Sequence, residues 1–137
     1  LEPQNDKKVL IAVGFWASYL EKDLPDINGF IDKSISLSER LMLSTYLKKQ
    51  FEYEVWRGWS YCRFNCGIPE EQMGHSDYTD GKYVWPEGLS HYIEKHDLWL
   101  PSEFVDHVAN NFDVKPDVRR EEFSYRYDFS WWKSLKK

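Results

Sequence analysis

Long apolar runs are missing from this 137-residue chain. The longest, Val9 to Trp16, falls far short of the roughly 20 residues that cross a bilayer. It also lacks the charged n-region and small-residue cleavage pattern of a signal peptide. Neither a membrane span nor a secretory leader is therefore expected, although Leu1 in place of Met leaves a previously removed leader open. Cysteine is scarce as well, with only Cys62 and Cys66. Two thiols are too few for a secreted disulfide scaffold, so the expected compartment is the cytoplasm. Positive charge is not concentrated either: the formal charge is -5 and no Lys/Arg block occurs. That argues against nucleic-acid binding, because phosphate contacts need clustered cations. A nucleophile with a base and an orienter is not visible, and neither Ser60 nor Ser90 sits in a nucleophile elbow. With no repeat, low-complexity segment or second core, residues 1–137 read as one domain, long enough to bury roughly two-thirds of the unfolded surface.

Aromatics, by contrast, make up 18% of the chain and include seven tryptophans, so the core should be built from a few large rings whose polar tips need partners. Val9, Ala12, Val13, Trp16, Tyr19 and Leu20 recur at helical spacing, which predicts a helix over Lys7 to Lys22 after an Asp6 cap. Turn formers from Leu24 to Gly29 follow, and Ser38 is the expected N-cap of a second helix carrying Leu41, Met42, Tyr46 and Leu47. From Phe51 the period changes to two. Phe51, Tyr53 and Val55 predict a strand, with Trp59, Tyr61 and Arg63 as its continuation or partner, and Glu70 to Asp77 reads as a polar loop.

The most legible stretch runs from Tyr78 to Val105. Thr79-Asp80-Gly81 predicts a tight turn, and Tyr83, Val84 and Trp85 a strand. Pro86 and Glu87 open a helix, the acid facing the positive end of its dipole. Leu89, Tyr92, Ile93 and His96 form that helix's buried face, and Pro101-Ser102-Glu103 starts another helix that ends near Asn110-Asn111. The tail from residue 123 to 132 alternates and predicts a C-terminal strand. The expected class is α+β: a small, mainly antiparallel sheet with N-terminal helices and one or two helices after the central strands.

One constellation carries metal chemistry. Cys62 and Cys66 offer two thiolates, His91 and His96 two imidazoles, and together they satisfy tetrahedral zinc. Helix geometry objects, since five steps of about 100° leave the two histidines roughly 140° apart. One ion reaches both only if the helix ends or distorts between them; His75 is a substitute ligand that needs no such distortion. The plainer alternative is two small buried thiols, a core His96 and a surface His91. A second group, Asp77, Asp80, Glu87 and His91, could position a hydrolytic water or a cation, with Asp80, Glu87 and His91 as the catalytic candidates. Each also has a local explanation in turn, dipole or solvation chemistry. A third feature is the surplus of rings: Trp56, Trp59, Trp85 and Trp99 are candidates for a partner-binding rim, against a wide aromatic core as the alternative.

The segment from Arg57 to Val108 contains C-R-F-N-C-G, T-D-G-K-Y-V-W-P-E-G-L-S-H-Y and L-P-S-E-F. It resembles a group of small bacterial proteins with a C-R-F-x-C-G segment followed by L-T-D-G-x-x-V-W-P-E-G-L-x-H-Y-V and L-P-x-x-F, with Tyr78 in place of the first Leu. The resemblance implies a bacterial, intracellular protein and brings no catalytic residue with it. Two classes of function follow. The first is a non-catalytic binding or accessory protein acting through protein contacts, with a zinc staple, including an immunity-type protein that neutralises a basic toxin. The second is a small hydrolase or ligand-binding protein using a pocket of Asp80, Glu87 and His91.

Overall fold

The computed structural model describes residues 8–116, 118 and 125–136. Strand β1 (Lys8–Ala12) opens the described chain, which overturns the helix expected over Lys7 to Lys22. A short apolar run fits a buried strand as well as a helix, and here two neighbours decide it. β1 lies between β4 (Tyr83–Pro86) and β5 (Tyr125–Asp128) and pairs in parallel with both. Leu10 and Ala12 are fully buried there. Gly14, at φ +78°, then turns the chain away where a side chain would strike Leu89.

After a 3-10 turn at Ile27–Phe30 comes helix α1 (Leu37–Lys48). Its N-cap is Ser36 rather than the expected Ser38. Ser36 Oγ accepts from Glu39 N–H at 3.2 Å, and the Ser36-x-x-Glu39 spacing is a capping-box pattern that Ser38 lacks. Strand β2 (Phe51–Val55) forms as predicted. Trp59 to Arg63 do not continue it; residues 56 to 69 form an irregular loop. The polar segment beyond is more structured than expected, with a one-turn helix α2 (Glu70–Met73) and strand β3 (Ser76–Thr79).

The Thr79-Asp80-Gly81 turn, with Gly81 at φ +97°, joins β3 to β4. Helix α3 (Leu89–Lys95) starts three residues after the predicted opening at Pro86, which instead ends β4 opposite Asp77, and α4 (Ser102–Asn111) follows Pro101 as expected. The tail strand is shorter than the 123–132 expectation. Positions 123 and 124 lie outside the described residues, and Ser130–Ser134 is a helix, α5, that carries Trp131 and Trp132.

The result is an α+β domain around one five-stranded sheet in the order β2-β3-β4-β1-β5. β2, β3 and β4 form the antiparallel meander, and β1 and β5 extend it in parallel. Helices cover one face. Tyr83 and Trp85 pack there against Phe104 of α4, with ring centroids 4.9 and 6.0 Å apart, and Tyr46 of α1 approaches Trp85. Trp132 is fully buried beside Trp16 and donates from Nε1 to Phe15 O at 2.6 Å. The opposite face carries Leu10, Ala12 and Val84 under a smaller ring cluster of Phe15, Tyr53, Tyr125, Tyr127 and Phe129. No helix among the described residues is long and apolar enough to cross a membrane.

Candidate functional site

Cys62, Cys66, His91 and His96 come together. One ligand atom from each lies within 4.8 Å of all the others. Cys62 Sγ is 3.5 Å from His96 Nε2, and Cys66 Sγ is 3.4 Å from His91 Nε2. Tetrahedral zinc with N and S ligands has ligand-to-ligand edges of roughly 3.3–3.8 Å, so both close pairs already have the required spacing.

Local backbone geometry explains the convergence. Helix α3 ends at Lys95, and His96 occupies its C-cap with φ -130°. Asp97 follows in the left-handed region at φ +56°. Arg40 pins this exit by donating to Ile93 O at 3.2 Å and to the Asp97 carboxylate at 2.5 Å. The helix therefore stops between the two histidines, removing the angular objection that a straight helix raises. On the other side, Asn65 at φ +51° and Gly67 at φ +92° bend the chain around Cys66, with Asn65 N–H closing onto Cys62 O at 3.0 Å. Phe64 N–H points at Cys62 Sγ from 3.4 Å, a contact that stabilises a thiolate and orients it. Burial lowers the pKa of His96; His91 is lowered by burial and then by His96 beside it. Both rings are thus held toward the neutral form that ligates metal.

His75, the substitute ligand, is elsewhere: its ring stacks on Trp59 at 4.5 Å. The pocket expected from Asp80, Glu87 and His91 does not assemble. Asp80 lies before β4 and Glu87 after it. Asp80 accepts from Lys82 and Tyr83 N–H through one oxygen, and Tyr46 OH and His107 Nε2 meet the other at 2.5 and 2.8 Å. This carboxylate ties the turn to α1 and α4. Glu87 does not serve the α3 dipole. Its Oε1 folds back onto the N–H groups of His75 and Ser76, while His91 faces the thiols. Of the four tryptophans considered for a rim, Trp56 and Trp59 are 53% and 48% exposed, whereas Trp85 is buried and Trp99 is partly covered by Phe30. Trp85 belongs to the core because it alternates with Val84 on a central strand, which the composition alone does not reveal.

Beside the Cys/His group, a cleft of about 690 Å³ opens along the aromatic side of the sheet. Its polar centre is Asp77, only 4% exposed. Trp56 Nε1 and Tyr127 OH donate to Asp77 Oδ2 at 2.8 and 2.9 Å. Burial nevertheless pushes the Asp77 carboxyl up to about 6, against the downward pull of those two donors and with an upward contribution from Glu54. Sequence reasoning placed Asp77 in a polar loop and grouped it with Asp80, Glu87 and His91, not with Trp56 and Tyr127. The signal it passed over is Tyr78-Thr79 just ahead of a hairpin turn, which favours a strand through Asp77. Tyr127 and Glu54 carried no signal of a site, since their role depends on long-range pairing.

A scan against protein-family models and searches of curated proteins and of solved structures found no match.

Proposed function

We propose that this chain is a small, non-catalytic binding protein in which a zinc ion, held by Cys62, Cys66, His91 and His96, staples the 56–69 loop to helix α3. The observation that carries the reading is the convergence of two thiols and two imidazoles at zinc-like spacing. Four protein ligands leave zinc no open position for substrate or water, which is the arrangement of a structural site rather than a catalytic one. The loop has a reason to need such a staple: residues 56 to 69 contain no helix or strand. Its protein anchors are a handful of hydrogen bonds, among them Trp56 N to His75 O, Ser60 N to Gly74 O and Arg63 N to Tyr92 OH.

What the staple positions is an exposed aromatic edge. Trp56, Trp59 and Tyr61 are 53%, 48% and 42% exposed, and rings of this kind anchor many protein interfaces. The partner assigned to this edge is another protein, with a basic surface matching the net charge of -5. The test is elemental analysis of untagged protein purified without chelator, alongside Cys62→Ser and His96→Ala. One zinc per chain, lost in both variants together with thermal stability, is the expected result. Metal-free protein whose two thiols react freely with a thiol reagent, and whose stability is unmoved by the variants, would end the zinc reading.

A further inference from the structure

We infer that the cleft centred on Asp77 is a binding site for a small organic amine carrying an apolar ring. The sheet register sets up the site. Glu54 and Asp77 are direct cross-strand partners in the β2–β3 ladder, so two carboxylates face each other where like charges are unfavourable. Among the described residues neither is met by a lysine or arginine. Arg63, the one lysine or arginine among the described residues lining the cleft, is committed elsewhere: it donates to Ala17 O and Tyr61 O and lies 4.2 Å over the Tyr61 ring.

Asp77 is held as an acceptor with capacity left over. Trp56 and Tyr127 both address Oδ2, and Oδ1 has no hydrogen-bond partner among the described residues. A ligand N–H fits that vacancy in the hydrogen-bond pattern, and a positive charge on the same nitrogen relieves the repulsion between Asp77 and Glu54. The walls fit the rest of such a molecule. Tyr53, Trp56, Trp59 and Phe15 line the cleft, offering ring faces that attract a cation and apolar area for a flat body. Trp16 also lines the cleft, is 4% exposed, and leaves its indole N–H without an acceptor among the described residues. A cleft of about 690 Å³ is the size of a small-molecule site.

The inference goes beyond the zinc-stapled reading and rests on it at one point: Trp56, Trp59 and Arg63 reach the cleft from the stapled loop. The experiment is an NMR titration of the full chain, of measured zinc content, following the indole N–H signals, with Trp56 assigned through Trp56→Phe. The probes are benzylamine, its neutral isostere benzyl alcohol, phenylacetate and a lysine-rich peptide. Benzylamine should shift the Trp56 indole signal and bind about tenfold or more tighter than benzyl alcohol or phenylacetate. Asp77→Asn should lose about tenfold for benzylamine while keeping wild-type circular dichroism and zinc content, and Glu54→Gln should weaken binding less. Equal binding of amine and alcohol, undiminished binding by Asp77→Asn, or saturation by the peptide alone would overturn the inference. Zinc-loaded protein that ignores benzylamine refutes the amine site and leaves the zinc staple standing; metal-free protein that binds benzylamine does the reverse.

Discussion

Replacing Asp77 with asparagine removes a buried charge while keeping an oxygen that Trp56 Nε1 and Tyr127 OH can address. Burial lifts the Asp77 carboxyl from 3.8 to about 6. Its folded-state pKa therefore lies above its unfolded value, and between those two pH values the folded chain binds more protons than the unfolded one. The stability linked to this group is fully present below about pH 4 and is lost as pH rises through about 6. Two pH units at about 1.4 kcal/mol each give roughly 3 kcal/mol of destabilisation at pH 7. Asparagine escapes that cost but accepts the two hydrogen bonds less strongly, a loss of about 1 kcal/mol. Asp77→Asn should thus be more stable than wild type at pH 7 by about 1–3 kcal/mol, with the advantage shrinking or reversing near pH 4. Urea unfolding of both proteins across pH 4–7, followed by circular dichroism, measures this. The difference between the two curves is the quantity of interest, since acid effects on groups other than Asp77 are common to both and cancel. A variant less stable than wild type at pH 7, with an unchanged difference in acid, would refute the reasoning and make the Asp77 carboxylate a stabilising ion. The expected outcome pairs naturally with lost amine binding: a group that costs stability and confers affinity is what a binding site retains.

Other consequences are simpler to test. Asp80→Ala removes the acceptor of Tyr46 OH, His107 Nε2 and two turn N–H groups. Leaving these donors unpaired should cost about 3 kcal/mol in urea unfolding while zinc content stays unchanged, since Asp80 lies outside the Cys/His group. Gly74→Ala places a Cβ 2.2 Å from the Glu87 carboxyl carbon at φ +89°, so a loss of at least about 2 kcal/mol is expected in the same assay. Retained stability in either variant would show that the turn or the Glu87 fold-back is not holding β3 and β4 as described.

Sequence reasoning succeeded where local rules suffice. The Thr79-Asp80-Gly81 turn, the Tyr83 to Trp85 strand and the start of α4 after Pro101 are governed by φ requirements, β-propensity and proline sterics, all of which act within a few residues. The Cys/His set was legible because ligand chemistry restricts the residue types. The condition on α3, that it end between His91 and His96, also followed from helix geometry alone. Failures fall where partners are distant. Val9 to Ala12 has a pattern that suits a helix, and only flanking by β4 and β5 makes it a strand. Glu87 was assigned to the helix dipole, yet it satisfies the backbone of His75 and Ser76 across the meander. Trp56 and Trp85 looked equivalent as rings, but Trp85 lies on central strand β4 and is buried, whereas Trp56 lies in the loop after β2 and is half exposed.

The amino-acid sequence by itself therefore determined the α+β class, the main turn and the chemical identity of the four candidate metal ligands, because these follow from residue type and near-neighbour geometry. Only the tertiary structure decided that the four converge, that Asp80, Glu87 and His91 part ways, and that Asp77 faces Glu54 in an aromatic cleft. Those facts depend on strand register and on a helix exit pinned by Arg40 from another element. Pairing of that kind is set by the packing of the whole chain rather than by any one segment of it.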